Sequence, residues 1–243
     1  MKPSYSENQT GDDLLDNQEV EPSEPARQRP VPILDRWELS HDEFTSIIDS
    51  NPSLRGVTLG YIAEWKFHEM FLNNPNITEA QKDDDHNRKR KGDRRFKYRG
   101  HEFIVEVKSL QTNLVKRLPD GTSTGRSQVD ASDRRKVEFK DGSTLETTCL
   151  LRGEFDVLAV NCYAFNGKWE FAFALNSDLP QNTFRKYTEE QRAALLPSLI
   201  PVTWPVQEPF VTDIIPLLDR VVAAREAGKE PEVPEVPVRS ITD

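Results

Sequence analysis

The spacing of apolar residues changes several times along this chain, and each change predicts an element. Ser40 and Glu43 have the spacing of a capping box, so a short helix should run to about Asp49. Val57, Gly60, Glu64, Phe67 and Phe71 recur at helical spacing. They predict a longer helix from about Leu54 to Leu72, stopped by Asn73-Asn74-Pro75. Residues 76–92 are polar and highly charged and read as a connection. Alternation then predicts two strands, about 93–98 and 102–110, joined at Arg99-Gly100. A Gly-, Thr- and Ser-rich loop over 111–126 leads to a helix predicted from Ser127 to Arg135. Residues 136–148 read as a hairpin over Asp141-Gly142. The run 155–165 is almost wholly apolar, as in a strand buried on both faces, and Asn166-Gly167 turns it into 168–175. Thr188 with Gln191 caps a further helix ended by Pro197. A last helix, about 210–227 despite Pro216, carries an apolar face for core packing. This order predicts an α/β fold, a central mixed sheet flanked by helices.

The ends differ from this middle. Residues 1–32 are acidic and proline-containing with few large apolar side chains, which predicts a disordered tail. Residues 229–243 form a Pro- and Glu-rich tail, expected to be extended. A single folded domain is expected over 33–228, with its core at about 54–175 and a C-terminal helical part over 180–228. Either acidic tail is a candidate dock for a protein partner. No apolar run approaches the ~20 residues that span a bilayer, and the acidic start lacks a secretory leader's apolar segment. The expected location is cytoplasmic, with no membrane partner. Cys149 and Cys162 sit in strand-like sequence and read as buried thiols.

Charge alters the picture. The chain carries a net −9, yet residues 86–140 hold 16 basic and 7 acidic side chains. A local positive field inside an acidic chain suits a phosphate backbone, although a solvated charged face has the same composition. The chemistry sits in that block, in 92-GDRRFKYRGHEFIVEVKSLQ-111. Asp93 opens the hairpin. Glu106 and Lys108 lie two apart on the returning strand and share a face, while Phe103, Val105 and Val107 share the other. Two carboxylates able to share a divalent cation, with an ammonium beside them, suit phosphodiester hydrolysis. Glu64 is the one acid on the apolar face of the long helix and needs a partner there. Gly60, one turn earlier, leaves room for close backbone approach. Gln128 can orient a water or donate to a phosphate oxygen without adding negative charge. Arg126, Arg134 and Arg135, with Lys91 and Arg94 near the hairpin, are candidates to grip a backbone. A surface hairpin with a cross-strand ion pair, or a capped helix with an exposed Asp130–Arg134 pair, would explain the same residues without chemistry. The four histidines show no metal-ligand spacing, and no phosphate-loop, dinucleotide or zinc motif is present.

Glu64 in 60-GYIAEWKF-67, Asp93, 106-EVK-108 and Gln128 together resemble the PD-(D/E)XK nuclease superfamily, over about residues 54–175. Gly92 stands where many members have proline. The resemblance implies a restriction-endonuclease-like αβββαβ core and a magnesium-dependent deoxyribonuclease leaving 5′-phosphates, with Mn²⁺ able to substitute. It implies Asp93 and Glu106 as metal ligands, Glu64 as an accessory one, Lys108 as the catalytic lysine, and Gln128 as a further site residue. A homodimeric DNA endonuclease of restriction or phage defence is the expectation. The alternatives are a catalytically silent DNA-binding or interaction module with a nuclease fold, and a nuclease acting on RNA or repair intermediates.

Overall fold

The computed structural model describes residues 30–82, 92–139, 142–229 and 239–241. The chain divides into two units, Met1–Ile47 and Ile48–Asp243. In the first, α1 (Ile33–Arg36) is followed by α2 (His41–Ser50), which runs across the division. The predicted capping box is present: Ser40 N donates to Glu43 Oε2 at 2.9 Å, and Glu43 N donates to Ser40 Oγ at 3.2 Å.

The second unit opens with α3 (Pro52–Phe67), which starts on a proline whose missing N–H needs no partner there. The helix continues as a wider turn over His68–Leu72, so the predicted span holds. Strands β1 (Ile77–Gln81), β2 (Arg94–Tyr98) and β3 (His101–Ser109) form an antiparallel meander. Arg99 and Gly100, at φ 49° and 81°, make the two-residue hairpin turn with both residues left-handed. The expected connection over 76–92 is corrected in part. β1 is an edge strand in which only Ile77 is buried, so it shows no alternation.

The larger correction lies between β3 and the buried strand. Beyond β4 (Lys116–Arg117), residues 123–138 are extended as β5 (Ser123–Gln128) and β6 (Asp130–Glu138), where a helix over Ser127–Arg135 was expected. Ser123, Gly125, Ser127 and Val129 point inward at period two. Three of these four are small and not apolar, so a hydrophobicity pattern misses the strand. A Cβ at Gly125 would stand 3.1 Å from the Phe165 ring and 3.3 Å from Leu110, which is why that position is bare. β6 pairs with β7 (Thr144–Cys149) as predicted, with Asp141 of the turn outside the described residues.

β8 (Val157–Asn161) is buried throughout, short α4 (Tyr163–Asn166) ends at Gly167, and β9 (Phe171–Leu175) returns, also fully buried. α5 (Glu189–Ala194) has the predicted Thr188–Gln191 capping box. β10 (Leu199–Trp204) corrects the expectation of a wholly helical C-terminal part. α6 (Ile215–Glu226) begins at Pro216's turn instead of at 210, since proline fits a first helical turn and not an interior. β11 (Arg239–Ile241) pairs with β6.

Among the described residues a five-stranded mixed sheet runs β1-β2-β3-β8-β9, parallel only at β3–β8. α3 and α6 cover one face, with Ala63, Phe67, Leu218 and Val222 packed on Phe96, Phe103, Val105 and Phe173. Across the other face, Leu158, Val160 and Ala172 meet Val129, just after β5, and Ile200 and Val202 of the β10-β5-β4 sheet. Both cysteines are buried as free thiols. No helix among the described residues is long and apolar enough to cross a membrane.

Candidate active-site cleft

Gly92 sets the site's geometry. Its φ is +82°, and a Cβ there would fall 2.2 Å from Ile104 Cγ2. Any other residue there would adopt a strained positive φ and force the Ile104 side chain aside. Beyond this turn, Asp93 N donates to Val105 O at 2.9 Å, and Asp93 Oδ2 accepts from Val107 N at 2.7 Å. The aspartate is thus tied to the strand that carries the other two groups. Glycine at position 92 therefore has a local structural reason.

On β3, Glu106 is buried and its Oε1 lies 2.6 Å from Lys108 Nζ. Burial, and next the neighbouring Asp93 charge, push the Glu106 carboxyl up to about 7 against the pull of Lys108. Burial by itself would lower Lys108, but Glu106 and Asp93 outweigh it, with a further contribution from Asp130. The amine is held above its ordinary value and stays an ammonium. Glu64 reaches over from α3, with Lys82 Nζ at 3.0 Å and Arg94 Nη2 at 3.8 Å from Oε2. Its carboxyl is raised by burial and then by Asp93.

Glu64, Asp93, Lys108 and Gln128 line one cleft of about 1260 Å³. Glu106 stands just beneath it through its contact with Lys108. The helix wall includes Gly56 and Gly60, where an added Cβ would meet nothing, so the wall is smooth toward the cleft. The Val57 end of the predicted apolar stripe faces outward, 58 % exposed, whereas Phe67 is fully buried. The stripe therefore changes from cleft lining to core along the helix. Gln128 closes the far side from the end of β5. Its Nε2 donates to Asp130 Oδ2 at 3.1 Å, and its Oε1 accepts from Gln111 Nε2.

The basic candidates separate. Arg126 and Arg134 are exposed on β5 and β6. Arg135 is corrected: it is buried, paired two-pronged with Glu154, and donates to Cys149 O at 2.9 Å, so its guanidinium is not offered to a phosphate. Arg94 is also buried and faces Glu64. Lys91 lies outside the described residues. Gln111 and the cleft-lining Tyr61 and Tyr163 were not singled out from sequence, and Asp130 was read only as an exposed partner of Arg134. Asp130 follows Gln128 by two, which in a strand means the same face, so reading 123–138 as extended would have found it.

The donors at the site are carboxylate oxygens, the ligand type of a hard divalent ion. The raised Glu64 and Glu106 carboxyls crowd the Asp93 charge, a repulsion that a cation would relieve. Among the described residues no three His, Cys, Asp or Glu side chains are already drawn together as a ligand set. Compared with models of known protein families, with curated proteins and with solved structures, the chain matches none.

Proposed function

We propose that this cleft hydrolyses phosphodiester bonds of DNA, as a nuclease of the restriction-endonuclease-like kind dependent on a divalent cation. The observation that carries the proposal is the joining of Asp93 to β3 through Val107 N, beside the Glu106–Lys108 pair and in one cleft with Glu64 and Gln128. Asp93 and Glu106, with Glu64 nearby, would hold Mg²⁺, which when bound polarises the phosphate and acidifies water. Lys108 remains charged, and its ammonium can donate to a non-bridging phosphate oxygen as negative charge builds there. Water adds to phosphorus, the bond to the 3′ oxygen breaks, and the products are a 5′-phosphate and a 3′-hydroxyl. Gln128, held between Gln111 and Asp130, is placed to orient the substrate or the water.

One observation favours a module that binds without cutting: Glu106 is already paired with Lys108. Cleavage of plasmid and short oligonucleotides in Mg²⁺, against EDTA, separates the two. The nuclease reading predicts cation-dependent cleavage that Asp93→Asn and Lys108→Ala abolish. Cleavage surviving both substitutions, or tight DNA binding with no turnover in Mg²⁺ or Mn²⁺, overturns it.

A further inference from the structure

Large aromatic side chains stand exposed around the cleft, where core packing does not explain them. Tyr61 on α3 is 49 % exposed and Tyr163 on α4 is 37 % exposed, and both line the cleft. Trp65, one helical turn beyond Tyr61, is 52 % exposed. Lysines lie between the rings. Lys82 Nζ stands 4.5 Å from the centre of the Tyr61 ring. Lys66 Nζ stands 5.0 Å from the Trp65 ring and 5.9 Å from the Trp169 ring. Trp169 in turn rests against Tyr163, with centroids 4.7 Å apart and planes inclined by 35°. Aromatic faces and ammonium groups therefore alternate along a path from α3 to α4.

We infer that this arc binds unpaired nucleotides, so that the substrate reaches the cleft as a single-stranded stretch: a free strand, a flap or an overhang. The inference rests on the nuclease reading for the chemistry and adds the substrate class. Exposed rings interleaved with cations match a strand of alternating bases and phosphates: each base stacks on a ring, and a phosphate can meet the Lys66 ammonium, while Lys82 also pairs with Glu64. A duplex cannot use the rings, because its bases are stacked on one another and only their edges face the grooves. The bare helix wall at Gly56 and Gly60 lets a sugar–phosphate backbone approach closely. A wholly apolar protein-docking face would not be expected to place Lys66 between two indoles or Lys82 over a phenol.

The test uses the full chain and a 5′-labelled oligonucleotide of about 12 nucleotides, within the range one such site spans. It is offered as a single strand, as a blunt duplex and as a duplex with a 3′ or 5′ tail, with binding read by anisotropy in EDTA. The single strand and the tailed duplex should bind at least about ten-fold more tightly than the blunt duplex, and quench tryptophan fluorescence. Tyr61→Ala and Tyr163→Ala should each weaken single-strand binding by about ten-fold, while Tyr163→Phe keeps it and blunt-duplex binding does not change. Both tyrosines are exposed, so an unchanged melting temperature verifies that the variants fold.

Equal affinity for blunt duplex and single strand, or alanine variants that bind as the wild type does, overturns the inference. So does concentration-dependent self-association lost in Tyr61→Ala, which would make a second copy of the chain the occupant. The same oligonucleotides in Mg²⁺ keep the two readings apart. Aromatic-dependent binding without cleavage upholds the inference and removes the nuclease. Cleavage of blunt duplex indifferent to Tyr61→Ala does the reverse.

Discussion

Arg135 offers the sharpest test of the packing described, because sequence and structure give it opposite roles. Arg135→Met removes one partner of a buried ion pair whose side chains are 5 % and 8 % exposed. Glu154 then keeps its charge in the interior. It retains the Leu151 N–H, which donates at 2.8 Å, and loses both guanidinium donors. The Cys149 carbonyl loses its side-chain donor too. Removing one member of such a pair costs about 3–5 kcal/mol. Arg135 Nε is already buried without a hydrogen-bond partner, so the wild-type pair is imperfect and the low end is the better value. At about 2–4 °C per kcal/mol for a chain of this size, the melting temperature should fall by roughly 10 °C. Urea titration measures the free energy, and anisotropy with DNA at low temperature measures binding. The double variant Arg135→Met/Glu154→Gln removes both charges, keeps an acceptor for Leu151 N, and should recover to within about 2 kcal/mol of wild type. Binding should be unchanged in both variants. A loss of under about 1 kcal/mol together with weakened DNA binding would show that Arg135 contacts the backbone and that the burial argument is wrong.

The cation proposal has a thermal readout. Glu106 is raised from 4.5 to about 7, so the folded chain holds this proton more tightly than the unfolded one, and stability falls as pH rises through that interval. Mg²⁺ competes with the proton and offsets that loss. At about 10 mM Mg²⁺ and an affinity of about 1 mM, the stabilisation is about 1 kcal/mol near pH 8, and it shrinks toward pH 6 as the proton occupies the carboxylate. A shift equal at both pH values, or one retained in Asp93→Asn, refutes Glu106 and Asp93 as the ligands. Gly92→Ala places a methyl against Ile104 and a side chain at positive φ, so melting should drop by more than about 2 kcal/mol equivalent and cleavage should fall with it; wild-type melting would contradict the geometry. Asp130→Ala frees the Gln128 amide and removes a carboxylate that helps hold Lys108 charged. The expected result is lower kcat with little change in KM and intact melting, and a change confined to KM would place Asp130 in substrate binding instead.

How far sequence reaches into this molecule depends on where each contact is decided. The β2–β3 hairpin was legible because its information is local: two left-handed turn residues, alternating apolar positions, and an acid and a lysine two apart. α2 and α5 were legible through their capping boxes, whose partners lie three residues apart. β5 was illegible because its inward positions are Ser123, Gly125 and Ser127, chosen by the closeness of Phe165 and Leu110, which no short window contains. Reading 127–135 as a helix then hid Asp130 and placed Arg135 on a surface. β1 and β10 failed for a related reason, the first lying at a sheet edge with one buried residue and the second containing a proline.

These corrections change how the site is supported. A helix at 127–135 would have presented Gln128 from a separate element with its own freedom. As a strand, β5 is bound to β10 over six residue pairs, and Ser127, fully buried, directs its hydroxyl at Ser109 O from 3.4 Å. Ser109 directly follows Lys108 and accepts from Asn161 Nδ2 at 3.2 Å. Gln128 and Lys108 are therefore carried by backbones that are tied together next to each residue, and the Asp130 carboxylate holds the Gln128 amide from the same face. Asp93 is tied to the same strand from the other side through Val107. Asp93, Lys108 and Gln128, carried by two sheets joined at Ser109 and Ser127, thus share one frame, with Glu64 added from α3. On the proposed function, activity should depend on this frame as much as on the functional groups: Ser127→Val, which changes no charge, is expected to lower cleavage without altering the melting temperature by more than about 2 kcal/mol equivalent. Full activity in that variant would show that Gln128 and Lys108 are positioned independently.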